Sequence, residues 1–196
     1  MGKPVPATKV GSAYRRSMLG ALLGVLFGRA LGTARAQDNV VDGRLERSVK
    51  AAFLFKFLAY VDFPGALDGA TPMSIGVAGS DQMAAELMHV IGARSVNGRA
   101  VLVRALKDQD LPAPLHVLFL AGADETRHPR WLKSAAPGTL TVTESDTGLA
   151  AGSVINFRLV DERVRFEVSL EAAERQGIKL SSRLLSVALR VLKGAP

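Results

Sequence analysis

The residues best suited to chemistry in this chain of 196 residues are few and scattered. Three histidines, His89, His116 and His128, are the natural candidates for acid–base work or metal ligation. None has a second histidine or a carboxylate at the spacing that turns two ligands onto one helix face, so no metal is expected. His116 opens an apolar run and reads as a strand-end residue, His89 falls on a helix surface, and His128 precedes Pro129 in a loop. Glu144 and Asp146 share one loop (Glu-Ser-Asp). A general acid–base pair needs a cleft that drives two pKa values apart, and acids in such loops more commonly cap backbone N–H groups. Gly76-Val77-Ala78-Gly79 before a helix has the outline of a phosphate loop, yet a strand-to-helix turn alone accounts for Gly79, and no complete glycine fingerprint or Gly-x-Ser-x-Gly motif occurs. The absence of cysteine excludes disulfides, cysteine–zinc sites and thiol catalysis. No catalytic residue and no cofactor is expected. A hydrolase would need a nucleophile and base that the sequence does not display.

The polar positions of one hairpin carry more information. In 153–160 (SVINFRLV), Ile155, Phe157 and Leu159 share a face; in 163–170 (RVRFEVSL), Val164, Phe166, Val168 and Leu170 do. With Asp161-Glu162 as the turn, Leu159 pairs with Val164, Phe157 with Phe166 and Ile155 with Val168. A four-residue loop keeps the same pairing, although Asp-Glu is not a favoured two-residue turn. On the other face this register sets Arg158 opposite Arg165 and Asn156 opposite Glu167. Two like charges directly across a strand pair repel unless something neutralises them. Glu167 could do so internally; an external acidic partner or a small anion is the alternative.

The elements that must hold this hairpin are legible in outline. Residues 44–62 read as a helix ended by Pro64, and its stretch Ala51 to Val61 carries only Lys56, so it is buried nearly all round or docks on something. Phe53, Phe57 and Tyr60 are its candidate dimer or docking residues. Met73–Ala78 reads as a buried strand, and Gly79-Ser80-Asp81 supplies a turn and an N-cap for a helix over 81–91. Strands are expected at 99–105, 116–120 and 139–143, a short helix at 126–134, and a last helix over 181–193. On that helix Arg183, Ser186, Arg190 and Lys193 form one polar face. Helices alternating with strands early and a hairpin late give an α/β class: a mixed β-sheet with a C-terminal antiparallel hairpin and helices packed on it.

The charge distribution removes a nucleic-acid reading. The net charge is +7, but six of the 25 basic residues lie in 1–36, which holds no acid, leaving 19 bases against 18 acids. That basic segment has the form of a cleavable signal peptide. Arg15-Arg16 forms the charged start, Met18 to Phe27 the apolar stretch, and Ala34-Arg35-Ala36 the small-x-small cleavage site, with Gln37 as the new N-terminus. The arginine pair leaves both the general and the twin-arginine export routes open. The expected organisation is a leader over 1–36, a short segment over 37–47 and one domain over 48–193.

The string from Val164 to Leu192 resembles the C-terminal signature of the YfiR-like family of periplasmic proteins. It includes Val164-Arg165-Phe166-Glu167-Val168 and Leu170-Glu171-Ala172-Ala173-Glu174-Arg175-Gln176-Gly177-Ile178-Lys179-Leu180-Ser181-Ser182-Arg183-Leu184-Leu185. Val49-Lys50-Ala51-Ala52-Phe53-Leu54 with Phe63-Pro64 is similar to the family's opening helix. His116 to Leu120 resembles its central strand, and Leu140-Thr141-Val142, Gly148 and Gly152 to Phe157 its next block. The likeness covers about residues 48–192. The chain departs from the pattern in three places: Phe63 where the family usually has tryptophan, Ser169 where asparagine is frequent, and Leu115 where many members carry cysteine.

The resemblance implies a periplasmic inhibitor, a regulator rather than an enzyme. It would bind the periplasmic sensory domain of an inner-membrane diguanylate cyclase and repress cyclic di-GMP signalling and biofilm formation. The resemblance also implies an OmpA-like outer-membrane lipoprotein that sequesters the inhibitor, and a homodimer. Disulfide-based redox control, proposed for some members, has no cysteine to act on here. With the hairpin, the family motif marks Arg158, Arg165, Glu167, Arg175 and Arg183 as partner or ligand contacts. A second reading keeps the same face and makes the protein a small-molecule sensor subunit, binding an anion or an amino acid, in another membrane signalling system.

Overall fold

The apolar runs pair into one eight-stranded mixed sheet in the computed structural model, which describes residues 42–64, 72–107, 110, 114–122 and 126–194, together with Gly2. Apart from Gly2, the expected leader lies outside these residues, as do residues 37–41 of the segment after it. The chain divides into two units, Met1–Gly43 and Arg44–Pro196. The sheet and its helices belong to the second, apart from the first two residues of the entry helix. The order of elements is α1 (42–57), β1 (Val61–Asp62), β2 (Met73–Ala78), α2 (Asp81–Ile91), β3 (Ser95–Val96), β4 (Arg99–Leu106), β5 (Val117–Leu120), α3 (His128–Ser134), β6 (Leu140–Thr143), β7 (Ile155–Val160), β8 (Arg163–Ser169), α4 (Leu170–Gln176), β9 (Lys179–Leu180), α5 (Ser182–Val187) and β10 (Arg190–Leu192).

The sheet runs β10-β8-β7-β6-β5-β2-β4-β3. Strands β4, β2, β5, β6 and β7 are parallel, β8 turns back antiparallel to β7, and β10 runs parallel to β8. The parallel middle strands β2, β5 and β6 are buried on both faces almost throughout, as strands covered on both sides are. One face carries Ile75, Val77, Val117, Phe119, Val142, Ile155 and Phe157 under Leu54 and Phe57 of α1 and Met83 and Leu87 of α2. The other carries Ala78, Leu118 and Leu120 under Trp131 and Leu132 of α3. This is the mixed α/β architecture expected from the order of elements.

The hairpin register matches the expected one at every position: Ile155 faces Val168, Phe157 faces Phe166 and Leu159 faces Val164. Apolar alternation alone selects it, because a one-residue slip would turn Phe157 and Phe166 to water. Asp161 and Glu162 form a two-residue turn, both with positive φ (48° and 58°), the mirror-image geometry that matches the strand twist. Phe157 and Phe166 then meet Phe53 and Phe57 of α1, with ring centroids 5.3–6.1 Å apart. These rings fix the helix to the hairpin.

Three expectations need correction. The last helix does not reach 193: it stops at Val187, and Arg190–Leu192 joins the sheet as β10. The apolar positions in 188–193 suit a continued helix as well as a strand, so local periodicity cannot tell the two apart; the open edge of β8 decides. The polar helical face of Arg183, Ser186, Arg190 and Lys193 therefore does not exist. The first helix ends at 57 rather than 62, because Val61–Asp62 pairs with Lys179–Leu180. His128, expected in a loop, is the first residue of α3 and is buried.

Helix α4 lies where the sequence pattern suggested no element. Its signal is nevertheless present: Ser169 accepts from the Ala172 N–H as N-cap and Gly177 closes the helix in the left-handed conformation. Ser80 and Ser181 cap α2 and α5 in the same way.

Candidate functional site

The outer face of the hairpin is built by the loop that follows β6. Thr141 Oγ1 accepts from the Val154 N–H at 3.1 Å, which folds the loop back over the sheet. Thr143 Oγ1 gives its single proton to Asn156 Oδ1 at 2.7 Å and so accepts from Ser153 Oγ at 2.9 Å. The loop passes so close above these groups that a Cβ on Gly148 would collide with Thr143 Oγ1 and Asn156 Oδ1. Asn156 is thereby fully buried, while Arg158, two residues along, emerges from under the loop.

Arg158 stands directly opposite Arg165, as expected. Arg158 Nη1 donates to Asp146 Oδ1 at 2.6 Å, from the loop above. Glu167 is taken elsewhere: Arg190 of β10 reaches it at 2.9 Å. Of the two ways to neutralise the arginine pair, internal balance by Glu167 is thus already spent, and no carboxylate among the described residues pairs with exposed Arg165. Arg175 pairs with Glu171 one turn earlier on α4, and Arg183 is exposed on α5. No hydrogen bond or ion pair among the described residues joins either of them to Arg158 or Arg165. The structure therefore brings together Arg158, Arg165 and Glu167, and adds Asp146 and Arg190. The sequence pattern gives Asp146 only a capping role and places Arg190 on a helix. The alternation Arg190-Val191-Leu192 was the available signal for the second.

Beside Glu167 a cavity of about 400 Å³ opens, lined among others by Asp146, Asn156, Ser169, Glu171, Arg190 and Lys193. Both signs of charge face it, which suits a small polar molecule carrying both. Of the expected docking residues of the first helix, Phe57 lies within the ring cluster, Phe53 is half-buried against Phe157 and Phe166, and Tyr60, in the turn after α1, is 37% exposed.

The remaining chemical candidates do not converge. Glu144 accepts from the Gly122 N–H at 2.6 Å and from Lys50 Nζ at 2.6 Å, and Lys50 also pairs with Glu46. This ties α1 to the ends of β5 and β6. Burial alone would pull the Lys50 amine down, but its hydrogen bonds to Glu144 and Glu46 outweigh it and raise its pKa above the ordinary lysine value. His116 is buried, with Nδ1 accepting from the Ser74 N–H at 3.1 Å and Nε2 beside Arg99 at 3.2 Å. Burial first, and Arg99 second, hold its pKa below the usual histidine value, so it is neutral near pH 7. Its ring packs edge-on to Phe63. His89 is exposed at the end of α2, and His128 is buried with no hydrogen-bond partner on either ring nitrogen. No group of three or more histidine, aspartate or glutamate side chains could hold a metal among the described residues, and no described helix is long and apolar enough to cross a membrane.

Against models of known protein families, residues 47–189 match the one described as YfiR/HmsC-like.

Proposed function

The chain belongs to the YfiR/HmsC-like family, whose members are periplasmic regulators of cyclic di-GMP signalling, and from that premise we propose that it is an inhibitor which binds the periplasmic sensory domain of an inner-membrane diguanylate cyclase. The leader over residues 1–36 would deliver it there. An OmpA-like outer-membrane lipoprotein that takes up the inhibitor would relieve the block, and the inhibitor would act as a homodimer.

The observation that supports this reading is the cross-strand arginine pair. Of the two opposed guanidiniums only Arg158 has a carboxylate, Asp146, whose side chain is itself 87% exposed. The like charges cost stability, and a carboxylate on a partner surface would remove the cost on contact. The test is deletion of the gene together with complementation by Arg165→Glu. Loss of the protein should raise cellular cyclic di-GMP and surface attachment, and the charge-reversed variant should fail to restore repression although it is folded and exported. Unchanged cyclic di-GMP in the deletion strain would remove the cyclase target.

The cavity beside Glu167 favours a second reading, in which the protein is the small-molecule sensor of another signalling system. Stabilisation of the purified protein against heat by an amino acid or other small zwitterion, lost on Arg190→Ala, would support it.

A further inference from the structure

The tip of the β7–β8 hairpin stands clear of the sheet. Strand β6 pairs with β7 only at Ile155 and Asn156. On the other side β10 pairs with Glu167, Val168 and Ser169, and the last backbone bond along that edge runs from the Leu189 N–H to the Phe166 carbonyl. From Arg158 to Arg165 the chain is a two-stranded ribbon with no strand neighbour on either edge among the described residues. From Arg158 to Val160 it extends about 7 Å at the usual rise of a strand. Ribbons of two short strands are marginal in water without a surface to rest on. The rings of α1 meet Phe157 and Phe166, and beyond them only Val164 of the ribbon packs, half-buried, against the core.

The two faces of this ribbon differ in chemistry. One presents Leu159, 58% exposed, beside its cross-strand partner Val164, which is half-buried where it packs against the core. The other presents Arg158, Arg163 and Arg165 around Val160, and of these arginines only Arg158 has a carboxylate among the described residues. The turn is made by Asp161 and Glu162 in the left-handed region, where glycine or asparagine would be less strained.

We propose that this ribbon, Arg158 to Arg165, is the element that inserts into the partner: a cleft in a folded protein with an apolar wall against Leu159 and Val164 and a carboxylate-bearing wall against Arg163 and Arg165. Charge complementarity selects the occupant. A lipid surface or a nucleic acid would meet the acidic turn first, and a second copy of the chain would set arginine against arginine. The inference rests on the regulator reading and specifies which surface executes it. Leu159 and Val164, which fix the register in the sequence pattern, become the apolar half of the contact.

Photocrosslinking in intact cells tests it. The full chain is expressed with p-benzoylphenylalanine in place of Leu159, of Val164, or of Met88, which is 54% exposed on α2, and adducts are identified by mass spectrometry. The expected result is an adduct with a membrane protein carrying a diguanylate cyclase domain from positions 159 and 164 and none from 88. Cyclic di-GMP is measured in parallel. Leu159→Asp should derepress to the level of the deletion strain, with at least a tenfold loss of affinity for the captured domain, while Met88→Asp should repress normally. Cyclase adducts from position 88 but not from the ribbon would overturn the inference and leave the regulator reading standing. No cyclase adduct from any position, with cyclic di-GMP insensitive to deletion, would overturn both. Should Leu159→Asp prove unfolded by circular dichroism, the crosslinking result alone decides.

Discussion

Removing the ring of Phe57 should loosen the hairpin from the sheet's covering helix, and the size of the effect follows from its surroundings. Phe57 is 1% exposed and lies 5.3 Å from Phe166, 6.0 Å from Phe157 and 6.0 Å from Phe53, ring to ring. Phe→Ala in a core costs about 3–5 kcal/mol, as lost transfer energy plus the cavity left behind. Three aromatic neighbours, each contributing about 0.5–1.5 kcal/mol beyond area, and a site walled by a helix and two strands that cannot easily collapse, place Phe57→Ala near about 4 kcal/mol. Against the usual stability of a domain, about 5–15 kcal/mol, this is a large fraction. Urea unfolding followed by fluorescence of Trp131, the sole tryptophan, measures it. Trp131 belongs to the cluster on the opposite face of the sheet, so it reports global unfolding without sensing the substitution directly. The midpoint should fall with the slope unchanged, and the melting temperature should drop by about 10 °C. A double-mutant cycle with Phe166→Ala should give a coupling of about 1 kcal/mol, because the two rings share one cavity. A loss below about 1.5 kcal/mol, or additive single substitutions, would show that the rings do not act as a unit and would refute the claim that α1 positions the hairpin through them.

Gly148→Ala should destabilise by about 1–3 kcal/mol, since its methyl has no room above Thr143 and Asn156; an unchanged urea midpoint would mean that the loop does not press on the sheet. Arg165→Ala should leave stability unchanged or raise it by a few tenths of a kcal/mol, by relieving the opposed arginines, while weakening repression; a clear loss of stability would mean that Arg165 is engaged within the fold. Lys50 holds its proton more tightly in the fold than in the unfolded chain. Its contribution is therefore complete below pH 10.5 and disappears as the pH rises through its higher folded value. The wild type should lose stability in that alkaline window and Lys50→Met should lack this loss, having instead a penalty of about 2 kcal/mol at pH 7 from the carboxylates left behind. Parallel stability curves for the two proteins above about pH 10 would contradict the assignment.

Much of this protein is written in local pattern. The apolar runs of β2, β5 and β6, the serine that caps α2 and the full register of the β7–β8 hairpin follow from side-chain alternation and capping chemistry, which act over a few residues. The opposition of Arg158 and Arg165 follows from that register, so half of the candidate face was legible in the amino-acid order alone. What the tertiary structure decided are the relations between segments far apart in sequence. Whether 190–192 continues a helix or joins the sheet depends on the open edge of β8, more than twenty residues earlier, and local periodicity is indifferent between the two. That choice places Arg190 on Glu167, and with it removes the internal counter-charge that Arg165 was free to have. The loop that brings Asp146 to Arg158 and the rings of α1 that stop at Phe157 are likewise set by packing across the sheet. An ion pair or an exposed ribbon is a property of which surfaces meet, and a one-dimensional pattern carries no term for that.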